Sequence, residues 1–434
     1  MKKVLLSTLA AMTLSGAAFA ETMTLYTDPK TGQVFTTSGE GREEMGDFVS
    51  AKEVYLQNQE QDSVIAKKES KKKETSVFAK ASKLKFSGTH YLGYNYMNVD
   101  GQDATGNFEM RRNYVQVKAY VLEDPKSYLR VTLDATYSNS KQADADGNYD
   151  GYAKVFVKYA YLYLDEVLPY TGMEFGMVHR PWIDYEEHQG WWMRSISKVF
   201  VEASEASHLT NSADLGFNIK TKTPYFTSEI GVFNGEGYHG QNDSDEEHIG
   251  TGNSAEWRFT GAFLGNGEKK RKPLKDSYLD ASFFGQYNMD NSKNANATIA
   301  GEGEEHTYVW YGLHAVYNMP SLLVSAQYVI SDNENKETSE WNGSGYSVNG
   351  TFRFGEKKQF SVIGRYDVWT SEDQQATVTE QTTNSAIYGV AWQQNKNVKW
   401  LLSGQSFTAK DGRNYKSDTK SDWNSAMLTA EVHW

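Results

Sequence analysis

There is no cysteine anywhere in the 434 residues. That excludes a disulfide-stapled scaffold, zinc–thiolate sites and cysteine nucleophiles at once. An excess of positive charge is also missing. The formal charge is −12, and −14 once Lys2 and Lys3 are set aside, which argues against nucleic acid as a partner. Beyond Ala20 no apolar run is long enough for a membrane-spanning helix. The motifs G-x-S-x-G, H-E-x-x-H and G-x-x-x-x-G-K-[ST] are absent, and His188, His208 and His239 in the connections carry no hydrolase motif with them. The expectation is therefore no enzyme and no cofactor.

What is present points elsewhere. Residues 1–20, MKKVLLSTLAAMTLSGAAFA, join a basic start, a short apolar run and the small-x-small triplet Ala18-Phe19-Ala20, the pattern of a secretory signal peptide. Residues 21–83 are expected to form a hairpin over 24–37, TLYTDPKTGQVFTT, followed by a charged linker containing KKESKKKE at 67–74. Aromatics make up 14% of the chain, with 28 Tyr and 11 Trp, and Gly outnumbers Pro by 36 to 7.

From Leu84 onward the pattern is uniform. Sixteen alternating segments run from 84–97 to 423–434, most of them long enough for a tilted strand to cross a bilayer. Every second connection is short, such as EDPK at 123–126, KTP at 222–224 and NMPS at 318–321, with GNGEKKRKPLKDS at 265–277 as a longer member. The intervening connections are long and polar. Short turns on one rim and long loops on the other are the asymmetry of an outer-membrane barrel. The expected fold is thus an all-β, transmembrane antiparallel β-barrel of 16 strands over residues 84–434, with short periplasmic turns, long extracellular loops and both barrel ends periplasmic. The final stretch AMLTAEVHW, 426–434, alternates apolar and polar and reads as the strand that closes the barrel against the one near Leu84, since an unpaired edge would invite aggregation.

Period 2 sorts the faces. Leu129, Val131, Leu133, Ala135 and Tyr137 would meet lipid, as would Val115, Val117, Ala119 and Val121, and also Val155, Val157, Tyr159, Tyr161 and Tyr163. A cation on the lipid face near the midplane would cost about 2–4 kcal/mol. Arg112, Lys118, Arg130, Lys154, Lys158 and Arg180 are therefore assigned to a watery lumen, as a basic stripe on consecutive strands. Either the stripe draws small anions, or its charges pair locally with Glu174, Asp134 or loop carboxylates. The opposite wall is mixed, with Arg258, Arg353, Arg365 and Lys399 beside Glu256, Asp280, Asp367 and Glu431.

Residues 185–209, YEEHQGWWMRSISKVFVEASEASHL, are too bulky to hang in water. Folded into the barrel they would narrow it, with Glu186, Glu187, His188, Trp191, Trp192 and Arg194 at the constriction; the other placement is on the rim or against a neighbouring subunit. In DADGNYD, 144–150, Asp144, Asp146, Asn148 and Asp150 give closely spaced oxygens, but Val155 stands where a calcium loop needs Glu, and a polar turn is the expected reading.

FEMRRNYVQVKAYV at 108–121 and YAYLYLDEVLPYTGMEFGMVHRPW at 159–182 resemble the Gram-negative outer-membrane porins, most nearly the phosphate-selective porin O and P family. The resemblance covers about 84–434. It implies a sixteen-stranded barrel in the outer membrane, a homotrimer embedded in outer-membrane lipid, passing small hydrophilic solutes, anions foremost. A terminal aromatic such as Trp434 resembles the signal read by the barrel-assembly machinery. Lysines and carboxylates share this lumen, so phosphate specificity is not carried over. The expected function is passive diffusion with a modest anion preference. A channel specific for oxyanions or organic acids, or a non-conducting adhesin, is the alternative.

Overall fold

The computed structural model describes residues 23–48, 83–136, 154–235, 237–238, 253–289, 308–333, 342–373, 379–409, 413–415, 418–420 and 422–434. The signal segment 1–20, the basic stretch 67–74, the Asp144–Asp150 oxygens, His239 and the Lys154 side chain lie outside them. The chain divides into two units, the first ending at Phe86.

In the first unit, β1 (Met23–Thr27) pairs with β2 (Val34–Phe35) and, on its other edge, with β3 (Glu43–Phe48). The turn works because Asp28 accepts the backbone N–H of Lys30 and Gly32 takes the left-handed φ of 69°. β1 and β2 pair antiparallel within residues 23–35. The third strand was missed because EEMGDF alternates too weakly to read as one.

The second unit is a closed antiparallel barrel of sixteen strands. They are β4 (Leu84–Val99), β5 (Thr105–Ala119), β6 (Tyr128–Thr136), β7 (Lys154–Leu168), β8 (Thr171–His179), β9 (Ala213–Lys222), β10 (Phe226–Phe233), β11 (Ser254–Leu264), β12 (Tyr278–Asn288), β13 (Tyr308–Met319), β14 (Leu322–Asn333), β15 (Gly343–Phe354), β16 (Phe360–Asp373), β17 (Thr379–Gln393), β18 (Val398–Ala409) and β21 (Trp423–His433). A small pair, β19 (Arg413–Tyr415) and β20 (Asp418–Lys420), sits in the last long connection. β21 closes on β4 from Trp423↔Val99 to His433↔Thr89. Trp434 then exchanges backbone hydrogen bonds with Gly88 and donates its indole N–H to His90. Closure leaves no free edge, which a lipid-embedded sheet requires.

The usual burial order is inverted. Leu129, Val131 and Leu133 are 44%, 44% and 38% exposed, while Thr132 and Asp134, of the other parity, are buried. Apolar side chains ring the outside and polar ones line the inside, as a bilayer outside and water inside dictate.

One face assignment is wrong. Tyr159, Tyr161 and Tyr163 point into the lumen, not to lipid. Thr132 pairs with Tyr159 but Leu133 pairs with Val157, so Lys158 is an extra residue in β7. Such a β-bulge shifts the alternation by one, and every later side chain changes face.

Candidate functional site

The connection between β8 and β9, residues 180–212, lies inside the barrel. It starts with α1 (Pro181–Gln189), where Pro181 fills the first helical turn and Asp184 lies near the positive helix end. Trp182 stacks on the inward Phe284 of β12 at 3.5 Å between ring centroids. Beyond the helix, Trp191, Met193, Ile196, Val199, Phe200 and Val201 form one buried cluster with Trp310, Ile363, Trp369, Ile387, Leu401 and Met427. These wall residues come from β13, β16, β17, β18 and β21 and face inward, so the segment packs against the inner wall and not on the rim. The sequence signal was available: in FSVIGRYDVW of β16 both parities carry apolar residues, which a strand between lipid and open water does not need.

Polar contacts fix the same segment. The Glu186 carboxylate lies 3.1 Å from His314 Nε2 and accepts a hydrogen bond from Gln327. Tyr185 donates to Asp280 at 2.6 Å, and Thr210 to Gln286 at 2.8 Å. Ser195 donates to Glu431 at 2.5 Å, and Arg365 to the Lys198 carbonyl at 2.5 Å. Arg111 donates to the Ile196 carbonyl at 2.9 Å. Arg111 reaches inward although its neighbour Arg112 does too, which strict alternation does not allow for. His314 Nε2 also lies 2.7 Å from Ser325 Oγ. Glu186 and Ser325 thus share one imidazole nitrogen, which is not the relay of a hydrolase.

The constriction candidates are brought together only in part. Glu187 and Arg194 pair with each other, and Arg194 lies 3.7 Å from Glu202. Trp191 and Glu186 are buried in the packing against the wall. Trp192 packs beside Tyr278, Val316 and Leu323. His188 is mostly exposed, its ring against the Asp184 carbonyl at 2.6 Å.

The basic stripe does not stand as a row of free cations. Arg112 pairs with Asp134 at 3.1 Å. Arg180 is buried between Asp214, at 2.7 Å, and Glu256. Lys158 is buried, donating to Ser212 at 2.6 Å with its ammonium 3.0 Å from the Tyr238 ring centroid. Lys118 and Arg130 form no carboxylate ion pair among the described residues. They lie among the inward tyrosines instead. Lys118 sits 4.3 Å over Tyr128, and Arg130 sits 4.7 Å over Tyr159 and donates to the Tyr161 hydroxyl at 3.1 Å. Tyr128 meets Tyr120 at 5.3 Å and Tyr163 at 5.0 Å. Beside this wall, Glu174, Asp184 and Glu229 gather on Lys220 at 3.1–3.5 Å. The mixed wall pairs locally as well, Arg365 with Asp367 at 2.7 Å and Lys399 with Glu431 at 2.5 Å.

The inner faces differ in cover. Inward residues of β11–β18 are nearly all buried, many of them against the internal segment, whereas Glu109, Arg111, Gln116, Lys118, Tyr128 and Arg130 on β5 and β6, with Tyr163 on β7, are only half-buried. The uncovered side of the lumen is the tyrosine and cation side.

Burial would raise the Glu202 carboxyl, but Lys198 at 3.2 Å and then Arg194 outweigh it and hold the group well below the usual carboxylate range. Glu205 is likewise lowered against its burial, by hydrogen bonds from Ser197 and Gln405. A depressed folded value means these contacts contribute fully above the ordinary glutamate value of about 4.3 and fade only as pH falls through the lower folded one. The internal segment should therefore keep its place between pH 7 and about 5, with the tryptophan emission of the refolded barrel constant over that window; an emission that shifts there would show that other groups hold the segment.

The fold has relatives among solved structures. An anion-selective porin from Comamonas acidovorans superposes with a TM-score of 0.55 at 11% identity, over 81% of this chain and 99% of that one. Salmonella typhi OmpF in complex with daunomycin gives 0.52 at 12%, over 81% and 97%. OmpT of Vibrio cholerae, an outer-membrane protein folded in vitro and solved in a trimer form, gives 0.50 at 13%, over 81% and 99%. No protein-family profile and no curated protein matches the sequence. The likeness is one of architecture: the barrel is of the kind found in the Gram-negative outer membrane.

Proposed function

We propose that this barrel is an outer-membrane channel for passive diffusion of small hydrophilic solutes, with a modest preference for anions. One observation carries the reading. A closed barrel with polar inner and apolar outer faces holds its own segment, residues 180–212, against one side of the lumen, leaving the half-buried β5–β7 wall beside it. A segment held this way narrows a water-filled pore. The anion preference rests on Lys118 and Arg130, which form no carboxylate ion pair among the described residues, and accords with the shared architecture of the Comamonas porin. The remaining proposals are export by the signal pattern of residues 1–20 and periplasmic chain ends from the even strand count, with assembly through the strand ending at Trp434 and a homotrimer, the state in which OmpT was solved, from the resemblance.

Planar-bilayer recording of the refolded barrel in a salt gradient tests this. Stepwise conductance with an anion-favouring reversal potential is expected. Lys118→Glu, alone or with Arg130→Gln, should move the reversal potential towards cations. An unmoved potential would remove these residues from selectivity. No steps from a folded barrel would assign a structural or adhesive role instead.

A further inference from the structure

The half-buried tyrosines on the uncovered side suit a narrower class of solute than small anions in general. The geometry points to a binding strip for aromatic carboxylates, formed by Tyr120, Tyr128 and Tyr163 with Lys118 and Arg130, an inference that rests on the channel reading for its biological meaning. The ring of Tyr128 lies 5.3 Å from that of Tyr120 and 5.0 Å from that of Tyr163, and all three are only half-buried. The Tyr163 hydroxyl donates to Asp165 at 2.8 Å, and the deeper Tyr161 hydroxyl accepts from Arg130. The protein thus uses these hydroxyls itself and presents ring surface to the solute.

An inorganic anion gains nothing from such surface, because an aromatic face carries the negative part of the ring quadrupole. A flat solute with an in-plane charge gains twice. Its ring packs against tyrosine in an offset or edge contact, and its carboxylate reaches the ammonium or guanidinium interleaved with the rings. The connection 265–277 adds to the attraction. It carries Lys269, Lys270, Arg271 and Lys272 on the same short-turn rim as Tyr120. Arg271 is tied to the inward Asp280, and Asn318 donates to the Pro273 carbonyl at 3.0 Å, so this turn is fastened to the inner wall.

The test is ligand-observed NMR saturation transfer on the detergent-refolded full chain, with sodium benzoate and sodium acetate as probes, alongside bilayer recording in potassium benzoate against potassium chloride. Benzoate ring protons should receive saturation in a competable way and acetate far less. Tyr128→Leu with Tyr163→Leu should weaken benzoate binding roughly five-fold or more, as expected for two lost aromatic contacts, and Tyr128→Phe should keep it. Heat-modifiable gel mobility confirms that each variant is folded. Equal binding of acetate and benzoate, or unchanged benzoate binding in the leucine pair, would overturn the strip. The two readings separate cleanly. Tyrosine-dependent benzoate binding without conductance keeps the strip and removes the channel. Conductance with no benzoate preference keeps the channel and removes the strip.

Discussion

Deleting residues 183–209 should raise single-channel conductance several-fold and lower the melting temperature of the barrel. The strands at the two ends tolerate the join, because His179 of β8 and Ala213 of β9 are direct pairing partners, and the residues left on either side make a tight connection. The barrel itself persists, since its sixteen strands close on each other without the segment. The stability loss follows from what the deletion uncovers. Phe284, Trp310, Ile363, Trp369, Ile387 and Leu401 would turn from packed contacts to water, and full burial of such side chains contributes about 1.5–3 kcal/mol each. Conductance equal to that of the parent would mean that the segment never limits the pore. A gentler variant makes the same point without a deletion. Val199→Asp places an unpaired carboxylate in the fully buried part of the cluster, which should release the segment intermittently and give noisy, larger openings.

Most of the barrel was legible because its physics is local. Alternation along a strand is set by the two solvents on its faces, and the contrast between KTP at 222–224 and the long 180–212 connection is visible by eye. All sixteen strands fall where the alternation put them, within a few residues at each end except for an earlier start of β17. The site was less legible, for two physical reasons. A bulge leaves no mark on composition: Lys158 looks like one more inward lysine, yet it is the residue at which β7 changes face. Pairing is also non-local. The tie of Arg112 to Asp134 joins two strands, and the ties of Arg180 to Asp214 and Glu256 join the end of β8 to β9 and β11. Charge counted along the chain therefore overstates the free positive charge in the lumen. The β7 part of the tyrosine wall, Tyr159, Tyr161 and Tyr163, was hidden by the same bulge, which moves these rings off the lipid face that plain alternation gives them.

Arg180→Met should destabilise the barrel by roughly 3–5 kcal/mol, the usual result of removing one partner from a buried ion cluster. Arg180 is fully buried, with one nitrogen on Asp214 at 2.7 Å and another on Glu256. Asp214 in turn accepts the Gly235 backbone N–H at 2.8 Å. Without the guanidinium two carboxylates face each other with no counter-charge, in a space shaped for neither. Urea unfolding followed by gel mobility should show the barrel opening at clearly lower denaturant. Neutralising both acids in the same chain, Arg180→Met with Asp214→Asn and Glu256→Gln, should recover most of the loss, because the penalty belongs to the unpaired charges and not to the missing side chain. Arg180→Lys should recover little, since a single ammonium cannot fork to two carboxylates on different strands. If Arg180 were instead a pore cation that draws anions, Arg180→Met would move the reversal potential and leave stability alone. The geometry predicts the opposite order of effects: Arg180 braces the point where β8 ends and the internal segment begins, while the proposed selectivity rests on Lys118 and Arg130, which form no carboxylate ion pair among the described residues and lie against tyrosine rings.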